Sequence, residues 1–212
     1  MSASERPGAE QWVPAGAAPD ELSAAAQSCR GCELWRGATQ TVFGDGSSTA
    51  TIMLVGEQPG DREDRAGEPF VGPAGALLDR ALTTAGIDRE EVYLTNAVKH
   101  FRFEERGKRR IHRSPAIGHV QACAPWLDAE LSAVDPAVIV CLGATAARAV
   151  LGRPARVGEE RGRLQPARGR AALVTVHPSA VLRTRDAASR DSAFDELVRD
   201  LRTAAEAARE TG

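Results

Sequence analysis

Cys29-x-x-Cys32 sets two thiols at a spacing that lets both bind one metal ion or cluster, and two further cysteines, Cys123 and Cys141, lie far along the chain. A chain of 212 residues buries enough surface to fold without disulfides, so in a reducing compartment the pair reads as a metal site before a disulfide. Spacing alone would complete that site with Cys123 and Cys141. Cys141 sits inside Ala137-Val138-Ile139-Val140-Cys141-Leu142, however, where a free cysteine behaves as a small buried hydrophobe. Other chemically able residues lie beside glycines and prolines, in Gly56-Glu57-Gln58-Pro59-Gly60-Asp61, Glu68-Pro69-Phe70-Val71-Gly72-Pro73 and His177-Pro178-Ser179, and Asn96 precedes Lys99-His100 at the end of an apolar run. An aromatic on a rigid loop of prolines and glycines reads as a stacking surface rather than as core. Taken singly, Asn96 and His177 read as structural residues after a strand.

Charge narrows the classes of partner. The net charge of -2 excludes a protein that coats nucleic acid by bulk charge. Yet Lys99, Arg102, Arg106, Lys108, Arg109, Arg110 and Arg113, set against Glu104 and Glu105, give the window 99–113 a charge of +5 and leave -7 to the rest. Such a run is a solvated loop or a contact for phosphate. No apolar stretch reaches the roughly 20 residues that span a bilayer, and the first residues lack a leader's basic and apolar regions, so the expected location is cytoplasmic.

Four apolar runs, 51–55, 92–98, 137–142 and 171–176, must position these groups. They lack strict polar alternation and are separated by helix-length segments, the pattern of a parallel sheet covered on both faces. Ala74, Leu77, Leu78, Ala81, Leu82 and Ala85 define one helix, opened by Pro73 and closed by Gly86. Ile117, Val120, Ala124, Leu127 and Leu131 define a second, in which Pro125 predicts a kink or a late start. A third follows Gly143, and Phe194, Leu197, Val198, Leu201 and Ala205 mark the last. The expected fold is α/β: a three-layer α/β/α sandwich with a central four-stranded parallel sheet. Residues 1–20 read as a flexible N-terminal arm and 21–212 as a single domain; His119 reads as a surface residue and Ser47 and Ser48 as turn residues. In such a sheet the ligand lies beyond the carboxyl ends of the strands, where the polar residues above fall.

The strings GEQPG, GEPFVGPAG, TNAVK and HPS, in this order and spacing, resemble the uracil-DNA glycosylase superfamily, specifically its iron-sulfur family 4, over about residues 28–205. Lys108-Arg109-Arg110-Ile111-His112, together with Gln58 in GEQPG, is similar to the subgroup called UdgX. The resemblance implies excision of uracil from DNA after the nucleotide is extruded from the stack, with Phe70 stacking on uracil, Asn96 reading its edge, and Gly56 and Gln58 in the same uracil-binding set. An Asn amide can accept from uracil N3–H and donate to O4, a pattern cytosine inverts. His177 would donate to the leaving uracil at O2. For the UdgX subgroup the resemblance implies that His112 attacks C1′ and stays joined to the abasic sugar, in a single turnover, with Glu57 orienting its imidazole and stabilising the imidazolium. Arg110 and Gln58 would hold the loop over the pocket, and Lys108, Arg109, Arg110 and Arg183, with Arg185 near it, would meet DNA. The alternative is a family 4 enzyme with hydrolytic turnover; a non-catalytic nucleotide-binding module is a third reading.

The resemblance also places His100 and Cys123 beside Cys29 and Cys32 as metal ligands, histidine standing where the family has a cysteine. A [4Fe-4S] cluster on Cys29, Cys32, His100 and Cys123 is the expected cofactor, with a structural zinc as alternative. The implied partner is uracil-containing DNA, single-stranded by preference, and the implied state a monomer without membrane association.

Overall fold

A computed structural model describes residues 6–211. All four apolar runs form strands because both their faces are covered: β2 (Ile52–Gly56), β3 (Val92–Asn96), β6 (Val138–Leu142) and β8 (Arg170–Thr175). They pair in parallel in the order β3-β2-β6-β8. Two short antiparallel strands that the apolar pattern does not announce, β1 (Asp45–Gly46) and β7 (Leu164–Ala167), extend the sheet at its two edges. Pro166 fits such an edge, where a missing N–H costs no internal pairing.

The period-two alternation of the strands divides the core. Met53, Val55, Tyr93, Ile139, Cys141 and Val174 face one layer, with residues of α1 (Pro19–Ala26), α4 (Ile117–Val134) and α5 (Ala144–Leu151). Leu54, Leu94, Val138, Val140 and Leu173 face the other, with α3 (Pro73–Ala85) and α8 (Ala187–Thr211). The result is a three-layer α/β/α sandwich. α2 (Asp61–Ala66) follows the turn after β2; α6 (Val157–Glu160) lies between α5 and β7; α7 (Pro178–Arg183) follows β8. No helix among the described residues is long and apolar enough to cross a membrane.

Several expectations need correction. The second strand ends at Asn96, not at residue 98. α4 runs through Pro125 without interruption, and Ile117, assigned to its apolar stripe, is exposed. Residues 6–20 are not a loose arm: Ala9 is buried, Gly8 N–H donates to the Gly31 carbonyl at 3.1 Å, and Arg6 pairs with Glu33 at 2.6 Å. The remainder of that arm, 1–5, lies outside the described residues. His119 is buried, because Nδ1 accepts from Ala116 N–H at 2.9 Å while Nε2 meets Glu33 Oε1 at 2.9 Å.

Candidate active site

The carboxyl ends of β2, β3 and β8 converge on one crevice. Gly56 ends β2, and a Cβ placed there would lie 2.3 Å from Asn96 Oδ1 and 2.8 Å from Phe70 Cζ. Only a residue without a side chain lets the amide at the end of β3 and the aromatic ring meet over that backbone. Asn96 is 4% exposed. Phe70 takes φ +59, a conformation that non-glycine residues seldom adopt and that is concentrated at functional sites. Its ring lies 6.4 Å from the His177 ring at 26°, so a third strand end contributes to the same pocket.

His177 precedes α7 and caps it. Its Nδ1 accepts Ser179 N–H at 3.1 Å and lies 2.8 Å from Ser179 Oγ. A neutral imidazole that accepts on Nδ1 carries its proton on Nε2. Burial pushes its pKa down to about 4, with Glu57 opposing and Arg183 and His112 adding. At neutral pH the ring is therefore an uncharged donor through Nε2.

The basic segment is not a loop but a two-stranded hairpin, β4 (Phe103–Arg106) and β5 (Arg109–His112). Gly107, at φ +58, opens its two-residue turn, which suits the right-handed twist of the strands. His112 closes β5 opposite Phe103. Two side chains fasten this hairpin to the domain. Arg110 Nε meets Asp61 Oδ1 at 2.5 Å and its Nη1 meets Asp64 Oδ2 at 2.6 Å, both from α2, while its guanidinium lies over Phe103 and Phe101. Gln58 Nε2 donates to the carbonyls of Arg102 and Arg113, both at 3.1 Å, and Oε1 accepts Arg102 N–H at 3.2 Å. Arg110 is thus committed to carboxylates rather than presented to phosphate, and the Gln58 amide to the backbone on either side of the hairpin and to His112. Holding the hairpin is what both do here.

His112 Nε2 stands 3.6 Å from Glu57 Oε1 and 3.0 Å from Gln58 Nε2. Burial lowers its pKa below the usual histidine value, Glu57 pulls part of the way back and Arg183 lowers it further. The ring is neutral at physiological pH and keeps a nucleophilic lone pair. Lys108 and Arg109 are exposed at the hairpin tip, as are Arg183 and Arg185 around the end of α7. The sequence reading missed the side chains of Asp61, Asp64 and Thr145. None carried a local signal: Asp61 and Asp64 meet Arg110 from 49 and 46 residues away, and Thr145 meets Glu57 from 88.

Cys29, Cys32 and Cys123 are all buried and close enough that each thiolate would disfavour the next. Burial pushes Cys32 up to about 11 and Cys123 up to about 12, so both are thiols unless a positive centre holds them as thiolates. Their sulfurs already accept N–H donors: Cys29 Sγ from Trp126 Nε1 at 3.3 Å and from Gly31 at 3.5 Å, and Cys123 Sγ from Lys99 at 3.3 Å. Such donors stabilise the sulfur charge of a bound cluster, so the donor set fits one. His100 is buried, and its Nε2 lies 3.0 Å from Thr41 Oγ1, which leaves Nδ1 as the nitrogen for a ligand bond. Cys141 lies in β6 with no exposure and belongs to the core.

The model of the uracil DNA glycosylase superfamily matches residues 43–202. The chain is 37% identical to the type-4 uracil-DNA glycosylase of Thermotoga maritima over 77% of this chain and 83% of that protein. It is 36% identical to the type-4 enzyme of Pyrobaculum aerophilum, covering 74% and 81%, and 34% identical to that of Sulfurisphaera tokodaii, covering 73% and 71%.

Proposed function

The chain belongs to the uracil-DNA glycosylase superfamily and to its type-4 family, and from that premise we propose that it excises uracil from DNA and then captures the abasic sugar on His112. This reading assigns it to the UdgX subgroup, acting as a monomer in a single turnover, with single-stranded DNA preferred. The observation that carries it is a neutral imidazole on an anchored hairpin, 3.6 Å from the Glu57 carboxylate that follows Gly56 of the pocket.

Uracil enters after extrusion from the stack. Phe70 stacks on it, Asn96 pairs with N3–H and O4, and the open backbone of Gly56 gives the ring room. Breaking the C1′–N1 bond leaves the electron pair on uracil and positive charge on the sugar. His177 donates from Nε2 to the anionic leaving group, with no charge of its own to desolvate. The His112 lone pair then bonds to C1′, and its ring becomes an imidazolium that Glu57 stabilises. Loss of the remaining ring proton to solvent leaves a neutral alkylated imidazole. A histidine held in place outcompetes water because a fixed neighbour acts at a very high effective concentration. Lys108, Arg109 and Arg183 supply charge for the DNA phosphates, whereas Gln58 and Arg110 position the hairpin.

The same reading gives Cys29, Cys32, Cys123 and His100 to a [4Fe-4S] cluster, which would tie the segment after α1 to α4 and to the strand end that carries Asn96. A structural zinc on the same four side chains is the alternative. The test of the reading is His112→Ser. This variant should release uracil without leaving protein on the DNA; a denaturant-resistant adduct in that variant would overturn the assignment of the nucleophile.

A further inference from the structure

We propose that Thr145 is a positioning residue for sugar capture, acting through Glu57. The inference rests on the reading of Glu57 and His112 given above. Thr145 is the second residue of α5, directly behind the turn at Gly143 that ends β6. Its hydroxyl lies 2.5 Å from Glu57 Oε2. An ionised carboxylate has no proton to give, so the hydroxyl is the donor. Its single proton is used on Oε2, and the other oxygen, Oε1, is the one facing His112 Nε2 at 3.6 Å. Hydroxyl, carboxylate and imidazole therefore form a series in which the outer member fixes the rotation of the middle one.

The perch of Thr145 is rigid. Threonine has few χ1 choices on a helix, and Gly143 N–H donates to the Thr175 carbonyl at 2.9 Å, tying the turn to the end of β8. A Cβ on Gly143 would lie 3.2 Å from the His177 Cβ, so this turn also packs against the leaving-group histidine. Glu57 must face positive charge that appears first on the sugar and then on the ring. A carboxylate free to rotate would lose part of that stabilisation to reorganisation, and a carboxylate held beforehand does not.

The experiment measures single-turnover uracil release and adduct formation on a uracil-containing oligonucleotide with the full-length protein as purified, in wild type, Thr145→Val, Thr145→Ser, Glu57→Ala and the Thr145→Val/Glu57→Ala double variant. Thr145→Val should slow the reaction roughly tenfold to hundredfold, the range for a hydrogen bond to a charged group, with affinity for DNA unchanged. Serine should restore most of the rate, and in the Glu57→Ala background the valine should cost nothing further. Wild-type rates in Thr145→Val, or independent costs that multiply in the double variant, would overturn the proposal. So would a Thr145→Ser variant as slow as the valine one. If wild type releases uracil but forms no adduct, the capture reading fails, and the same cycle on uracil release still decides the role of Thr145.

Discussion

At the scale of residues, two histidines with similar surroundings are kept neutral for different tasks. His177 has its Nδ1 occupied by Ser179 and its pKa lowered to about 4, which makes it a donor. His112 has its pKa lowered as well but keeps 47% of its side chain exposed, which suits the proposed capture of a sugar. The pH dependence follows. Protonation removes the His112 lone pair, and because its pKa in the folded protein lies below the usual 6.5, acid should slow adduct formation with a midpoint below that value. Single-turnover adduct rates across pH would show it, and a midpoint above 7 would contradict a neutral nucleophile lowered by burial. Phe70 stood out in the sequence because it sits on a loop of prolines and glycines, whereas Asn96 and His177, taken singly, read as structural residues after a strand and drew their roles from the family resemblance. His119 could not, because its burial depends on Glu33, 86 residues away.

At the scale of elements, the hairpin β4-β5 carries the proposed nucleophile, His112. Its strands carry no alternating apolar pattern, only Phe103 and Ile111 among charged residues, so nothing in the local sequence distinguished it from a solvated loop; it is fastened by α2 and Gln58. Arg110 contributes most, since Asp64 is fully buried and would lose its cation. Arg110→Ala should destabilise the protein by about 3 kcal/mol, the cost of leaving a buried charge unpaired. It should slow adduct formation more than uracil release. Denaturant unfolding and single-turnover rates measure the two effects, and unchanged stability would contradict the anchoring role. Lysine should not replace it fully, because only a guanidinium spans both carboxylates. Lys108 and Arg109, exposed at the tip, should behave differently. Alanine at either should leave stability unchanged while weakening DNA binding, and should reduce the slope of log affinity against log salt by roughly one phosphate each. An unchanged slope would place DNA elsewhere.

At the scale of the whole molecule, four apolar strands set the ends at which all this chemistry is assembled, and their pattern was readable because each is buried on both faces. The edge strands were not, since β1 has two residues and β7 contains a proline and faces solvent on one side. The packing of the segment at 6–20 was equally unreadable, because its anchors to the domain are distant in sequence: Arg6 pairs with Glu33, 27 residues on, and Gly8 with Gly31. That segment packs on Gly31, between Cys29 and Cys32, so the proposed cluster and the N-terminal segment should stabilise each other. Protein purified without oxygen should be brown, and serine at Cys29 or Cys123 should lower the melting temperature and bleach the colour; a colourless, zinc-loaded wild type would remove the cluster. The central claim is covalent capture. Wild-type protein incubated with uracil-containing single-stranded DNA, followed by a denaturing gel and a free-uracil assay, should give uracil release together with a stable protein–DNA band of equal amount. Release of uracil with no band, repeated over many turnovers, would contradict it.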